Sequence, residues 1–147
     1  MAAVRKFEDF ECWQLARKMD NELFPLTKEN GFERDFKLRD QILSSSGSIM
    51  DNIAEGFGRR GNKDFCRFLT YSHGSSDEVK SQLYRALDRG YISQEQFQSL
   101  YNQATIVGKK IGALMNVLDS SGYKPDYNKR DPKHPRYDDE NFHSSEN

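Results

Sequence analysis

Cysteine, histidine and long apolar runs are all scarce in this sequence of 147 residues. Its two cysteines, Cys12 and Cys66, have neither CxxC spacing nor neighbouring histidines, so we expect reduced thiols rather than a disulfide or a zinc site. No stretch approaches the roughly 18 apolar residues of a membrane-spanning helix, and the first residues lack the apolar run of a signal peptide. Together these absences predict a cytoplasmic protein.

An excess of either charge is missing as well. The formal net charge is -1, and the residues before 120 hold seventeen basic and seventeen acidic side chains. Such a chain has no global attraction to nucleic acid or to an anionic membrane. Binding to a polyanion would therefore need a local basic cluster.

Four segments place apolar residues at helical spacing, and none of any length alternates at period two. They cover about 8–26, with Pro25 near the end, then 35–57, 62–89 and 93–118. We expect Asn62 to cap the third helix, and Ser93 with Gln96 to form a capping box that opens the fourth. Short loops between them predict an all-α, antiparallel up-down four-helix bundle over residues 1–119. Residues 120–147 contain three prolines, many charges and no apolar period, which predicts a disordered or loosely attached tail.

Small residues occupy the middle of the second and third segments. Ser44–Ser48 and Ser72–Ser76 are poor in helix propensity but allow close approach of two backbones, so we expect these stretches to face each other. The chain also has more aromatic residues than one bundle seam can bury, which favours cover by a second subunit. These are Phe24, Phe32, Phe36, Phe57, Phe68, Tyr71, Tyr84 and Tyr91.

Patterns typical of catalysis are absent. A di-metal bundle site needs Glu-x-x-His pairs, and His73, which has Thr70 three residues before it, is the single histidine of the bundle segments. There is no G-x-S-x-G elbow, and the glycines of 56–61 follow a helical pattern rather than a strand, unlike a P-loop. We therefore predict no catalytic residues, no metal and no cofactor, with His73 as a surface or interface residue.

The strongest polar candidate is a basic cluster in the second turn, formed by Arg59, Arg60, Lys63 and Arg67. The partial positive charge of the following helix N-terminus adds to it, so the cluster could contact phosphate groups. The alternative is a solvated helix start whose arginines pair with Glu55, Asp64 or carboxylates of a neighbour. A looser group, Arg34, Lys37 and Arg39, is interleaved with acidic residues, which favours surface pairing.

Asn52 and Glu55 flank Ile53, and polar residues beside a packed stripe need partners. Asn52 could fix helix register or an intersubunit contact, or it could cap the glycine turn. With Gly56 and Phe57, these two residues form the predicted interface motif.

The run from Gly47 to Phe65, GSIMDNIAEGFGRRGNKDF, together with Gly74 to Ile92, GSSDEVKSQLYRALDRGYI, resembles the 23S rRNA intervening-sequence proteins, also labelled S23 ribosomal protein. The resemblance covers about Phe10 to Leu118. It implies a bacterial homo-oligomer, a pentameric barrel of bundles, with a suggested nucleic-acid-binding role. The chain is also distantly similar to the accessory variability determinant of diversity-generating retroelements, which binds a reverse transcriptase and nucleic acid.

Two functional hypotheses follow. The first is a non-enzymatic homo-oligomeric bundle that binds RNA or DNA, or a nucleic-acid-handling protein, through Arg59, Arg60, Lys63 and Arg67. The second is a protein-interaction scaffold in which the same side chains form intersubunit salt bridges.

Overall fold

Four helices account for most of the chain, as predicted. The structure is a computed structural model that describes residues 3–120 and 122–127. No strand occurs in these two ranges. Single 3-10 turns at Phe7–Asp9 and Phe32–Arg34 precede the first two helices, and the helices are α1 (Glu11–Leu26), α2 (Phe36–Gly58), α3 (Asn62–Asp88) and α4 (Gln94–Ser120).

Local signals set the helix ends. Helix α1 ends one residue after Pro25. At the start of α4, the Gln96 N–H donates to Ser93 Oγ at 3.1 Å and the Ser93 N–H donates to Gln96 Oε1 at 2.9 Å. This reciprocal pair is the predicted capping box, and it satisfies two backbone donors that would otherwise lack partners.

The small-residue stretches of α2 and α3 face each other, which confirms that prediction. Ser72 Oγ donates to the Ile49 carbonyl at 2.6 Å, and Ser75 Oγ donates to Ser48 Oγ at 3.0 Å. Further along, Gln82 Nε2 donates to Ser45 Oγ at 3.0 Å. The residue numbers increase along α3 while those of the partners on α2 decrease, so the two helices are antiparallel.

The other helix pairs complete the bundle. Helix α4 packs against α3 in the opposite direction, with Tyr101 beside Tyr84 and the Met115 carbonyl beside Cys66. Helix α1 contacts both α2 and α4. The central seam consists of side chains with essentially no exposed surface: Ala16, Met19, Leu23, Ile42, Ile49, Ile53, Phe65, Leu69, Leu83, Ala104, Val107 and Ile111.

Residues 122–127, here called the C-terminal strap, return to the bundle. Tyr127 is buried, with its ring centre 5.5 Å from that of Phe57 and 6.4 Å from that of Phe65. The Asp126 N–H donates to the Val4 carbonyl at 2.8 Å. The first part of the predicted tail, 120–147, is therefore attached to the bundle, because the aromatic side chain of Tyr127 packs beside the α2–α3 turn. Residues 128–147 lie outside the described ranges.

The surplus aromatics divide into two groups. Phe32, Phe57 and Phe68 are buried inside the protomer and Tyr91 is partly buried, so for these four the prediction of surplus surface was wrong. The ring of Phe32 stacks on that of Tyr91 at 5.2 Å. The other four keep about half or more of their surface exposed: Phe24, Phe36, Tyr71 and Tyr84.

Both cysteines are free thiols, as predicted. Burial raises the pKa of the Cys12 thiol to about 12, so it stays protonated at neutral pH. Within the described ranges, no helix combines the length and the apolarity that crossing a membrane requires.

Candidate nucleic-acid interface

The turn between α2 and α3 reverses the chain in three residues. Arg59 caps α2, Arg60 adopts φ +67°, and Gly61 precedes α3 in an extended conformation. Left-handed backbone is uncommon for a residue other than glycine. Arg60 thus stands in a conformation that glycine would adopt more easily.

The four predicted cations lie together at this end of the bundle, and we call them the basic turn. Arg59, Arg60, Lys63 and Arg67 are all exposed. Lys63 and Arg67 are four residues apart on α3, so they share one face of the helix. The described residues thus bring the sequence-predicted cluster to one surface.

Two of these cations contact the same aromatic ring. The guanidinium carbon of Arg59 lies 5.1 Å from the ring centre of Phe68, and that of Arg67 lies 5.2 Å from the same point. Phe68 itself is only 8% exposed. Cation–π contacts of this kind hold a guanidinium in place without neutralising its charge.

Two carboxylates accompany the basic turn. Arg59 Nη2 lies 3.0 Å from Glu55 Oε1, and Arg67 Nη2 lies 3.5 Å from Asp64 Oδ1. This pairing with Glu55 and Asp64 is the arrangement that the alternative hypothesis described. All four side chains are about half exposed, and pairs of that kind contribute only about 0–1 kcal/mol, so another anion can replace the carboxylate at low cost.

Lys63 differs from the two arginines because it forms no ion pair with any residue of the described chain. With four cations and two carboxylates between residues 55 and 67, the segment has a formal charge of +2. The bundle as a whole is formally neutral, so this segment carries a local excess of positive charge.

The start of α3 departs from a detail of the sequence analysis. Asn62 is not the cap of this helix, since Gly61 holds that position and supplies no side-chain hydrogen bond. Instead, Asn62 Nδ2 donates to the carbonyls of Leu118 and Tyr123 at 3.1 and 2.8 Å. Its Oδ1 accepts from the Tyr127 hydroxyl at 2.6 Å. Asn62 therefore ties the C-terminal strap to the first turn of α3.

Asn52 has local partners. Its Nδ2 donates to the Ser48 carbonyl at 2.8 Å and to Ser48 Oγ at 2.9 Å, and that hydroxyl also accepts from Ser75. Asn52 is thus linked to α3 through Ser48 and does not cap the glycine turn. Among the described residues its role is to hold the α2–α3 seam, and an intersubunit contact remains a prediction.

Gly56 and Phe57 lie inside the protomer. A Cβ atom added at Gly56 would lie 2.6 Å from the Phe68 Cβ, so the close approach of α2 and α3 requires glycine here. Phe57 packs edge-on against Phe10 and Phe65. Within the predicted interface motif, Glu55 is exposed and Asn52 is partly exposed, whereas Gly56 and Phe57 are buried.

His73 behaves as a surface histidine, with Nδ1 3.6 Å from Asp77 Oδ2. Across residues 3–120 and 122–127, no three His, Cys, Asp or Glu side chains form a group that could hold a metal ion. Two members of the looser basic group are paired locally, as expected: Arg34 lies 3.5 Å from Glu33, and Arg39 lies 3.4 Å from Asp40.

The sequence analysis counted Phe68 and Tyr71 among the surplus aromatics but did not predict that they lie beside the basic turn. Tyr71 follows Phe68 by one helical turn, meets its ring edge-on at 5.9 Å and stays 53% exposed. Arg67 and Phe68 stand four and three residues before Tyr71, and both spacings place side chains on one helix face, so the pattern is a detectable signal.

This geometry defines an all-α bundle with a basic and aromatic surface at one turn. The profile of the 23S rRNA-intervening sequence protein family matches residues 8–113, and the chain belongs to that family.

A solved structure supports the same assignment. It is a protein of unknown function from the S23 ribosomal protein family of Bacteroides thetaiotaomicron, with 25% sequence identity and a TM-score of 0.61. The similarity covers 71% of this chain and 94% of that chain. None of the curated proteins matches this chain. The distant similarity to the accessory variability determinant stays a prediction.

Proposed function

We propose that this chain is a non-enzymatic, homo-oligomeric binding protein of the cytoplasm that contacts the phosphates of nucleic acid through the basic turn. The observation that carries the proposal is the exposure of Arg59, Arg60, Lys63 and Arg67 at one turn of a bundle whose total formal charge is zero. Phosphate contacts by such side chains supply most of the sequence-independent affinity for nucleic acid.

The start of α3 adds to this surface. Its first backbone N–H groups have no side-chain cap, and a helix N-terminus carries partial positive charge. The family resemblance favours a pentamer, in which one basic turn per subunit would be repeated around a ring. Repetition of a weak contact raises the overall affinity without any new interaction within one subunit.

A second candidate is a protein-interaction scaffold, which the Arg59–Glu55 and Arg67–Asp64 pairs favour. In a scaffold these pairs would join a network with carboxylates of a neighbouring subunit. The exposed rings of Phe24, Phe36 and Tyr84 would then be covered by protein.

Binding to labelled RNA and DNA across a salt series separates the two candidates. The test variant is Arg59→Glu/Arg60→Glu, and the matched control is Arg34→Glu/Lys37→Glu, which makes the same change of charge at the opposite end of the bundle. We expect salt-sensitive binding that the test variant loses by tenfold or more and that the control retains, with unchanged oligomer mass. No binding at low salt would overturn the proposal, and a changed mass of the test variant would favour the scaffold.

A further inference from the structure

Tyr71 lies next to the basic turn but contributes little to the core. Its ring meets that of Phe68 edge-on, with the planes at 87°, and about half of the residue remains exposed. Phe68 fills the space between the helices, whereas Tyr71 extends the aromatic surface outward. About half of the Tyr71 surface is therefore available to a ligand.

The neighbouring guanidinium groups have a similar character. Arg59 and Arg67 are held against the Phe68 ring, and their side chains are 50% and 55% exposed. A guanidinium fixed in this way presents a planar surface as well as a charge. Planar cations and aromatic rings side by side are the surfaces on which unpaired bases stack.

We infer that Tyr71, Arg59 and Arg67 form a stacking platform for unpaired bases, so that the nucleic acid bound at the basic turn is single-stranded. This inference rests on the proposed function and deepens it. The cations attract the phosphate backbone, and the Tyr71 ring holds a base that is free to turn toward the protein. In a duplex the base faces are already stacked on each other, so Tyr71 has nothing to hold.

Three ligands of equal length test the inference: a single strand, the corresponding duplex, and an abasic strand with the same phosphates but no bases. We expect the wild-type chain to bind the single strand more tightly than the abasic strand and the duplex. Tyr71→Leu should weaken single-strand binding about 5- to 100-fold, the range expected for loss of one stacked base. It should leave abasic-strand binding and the salt slope unchanged.

Two further variants serve as controls. Tyr71→Phe keeps the ring and should retain binding. Tyr84→Leu removes a tyrosine of similar exposure, 49%, from the same helix but away from the basic turn, and it should have no effect on binding.

The possible failures are distinguishable. Equal binding of normal and abasic strands by the wild-type chain would overturn the stacking platform and leave the phosphate contacts intact. Tighter binding of the duplex would also overturn it. A change of oligomer mass in Tyr71→Leu would make Tyr71 a subunit contact instead. Failure to bind all three ligands would remove the proposed function itself.

Discussion

The two ends of the bundle use their charged side chains differently. At the end formed by the α1–α2 and α3–α4 loops, the Asp35 carboxylate caps α2 by accepting from the Leu38 N–H at 3.3 Å. It also accepts from Arg89 Nη1 at 2.7 Å and from the Tyr91 hydroxyl at 2.9 Å. One carboxylate thereby joins the start of α2 to the end of α3.

At the basic turn, by contrast, two of the arginines pair with carboxylates close by in the sequence, Arg59 with Glu55 and Arg67 with Asp64. Such pairs connect no separate elements and are half exposed. A charged side chain that bridges two elements stabilises the fold, whereas one that is paired within a single helical turn can exchange its partner for a charged group of a ligand. The comparison therefore assigns a structural role to Asp35 and supports the proposed binding role of the basic turn.

The largest expected effect lies in the core beneath the basic turn. Phe65 is fully buried, and its ring contacts those of Phe10, Phe57 and Tyr127. Phe65→Ala should lower the free energy of unfolding by about 3–5 kcal/mol, because it removes buried apolar surface and leaves a cavity. Denaturant unfolding measures this loss. Phe36→Ala is the control, since that ring is mostly exposed and should cost less than about 0.5 kcal/mol.

The second effect concerns the approach of α2 to α3. Gly56→Ala should destabilise the fold by about 1–3 kcal/mol, because the new Cβ meets the Phe68 Cβ and the backbone and ring of Phe65. Gly58→Ala, two residues on in the same helix, meets no atom within 4 Å and should be neutral or slightly stabilising. Thermal unfolding compares the stability of the two variants. Equal losses of stability would contradict the close approach of α2 and α3 at Gly56.

The third prediction tests the opposite end through pH. The Tyr91 hydroxyl, with the Leu38 N–H and Arg89, lowers the pKa of Asp35 below its ordinary value of 3.8. A carboxylate with a lowered pKa stabilises the fold above its unfolded-state pKa, and that contribution is lost as the pH falls through the folded-state pKa. Asp35→Asn should therefore be less stable than wild type at pH 7, and the difference should shrink in acid.

The control for this prediction is Asp40→Asn. The Asp40 carboxylate is mostly exposed and contacts the adjacent Arg39, so its removal should change the stability little at any pH. If Asp35→Asn lowered the free energy of unfolding by the same amount at every pH, the hydrogen-bond geometry of Asp35, and not its charge, would stabilise this end of the bundle.

The smallest stability effect is expected at the basic turn itself. Arg59→Gln should change the free energy of unfolding by less than about 1 kcal/mol, because its pair with Glu55 is exposed. Its binding to nucleic acid should nevertheless fall. A stability loss well above 1 kcal/mol would show that Arg59 is structural and would remove the contrast between the two ends.

Much of the fold could be predicted because the local signals agree with the packing. Apolar spacing located all four helices, and Ser93 with Gln96 marked the start of α4. The facing serines of α2 and α3 followed from residue size alone. Periodicity and capping depend on near neighbours in the chain, which is why they can be recognised without a structure.

The candidate site was only partly predictable. Charge density identified the basic turn, but the contact of Arg59 and Arg67 with one ring depends on how α2 meets α3. Asn62 was expected to cap α3, yet its partners lie 56 to 65 positions further along the chain. Contacts over such separations leave no local pattern. Tyr127 was missed for the same reason, because it stands in a stretch without apolar periodicity.

The C-terminal strap has a consequence for how the chain folds during synthesis. Tyr127 covers rings contributed by Phe57 and Phe65, which are translated much earlier. Domains are synthesised from the N-terminus at about 5–20 residues per second, so these rings wait several seconds for their last partner. The hydroxyl that reaches Asn62 arrives with the same residue. Completion of this end of the bundle thus waits for the strap, and a released chain truncated just before Tyr127 should expose the rings to protease or dye.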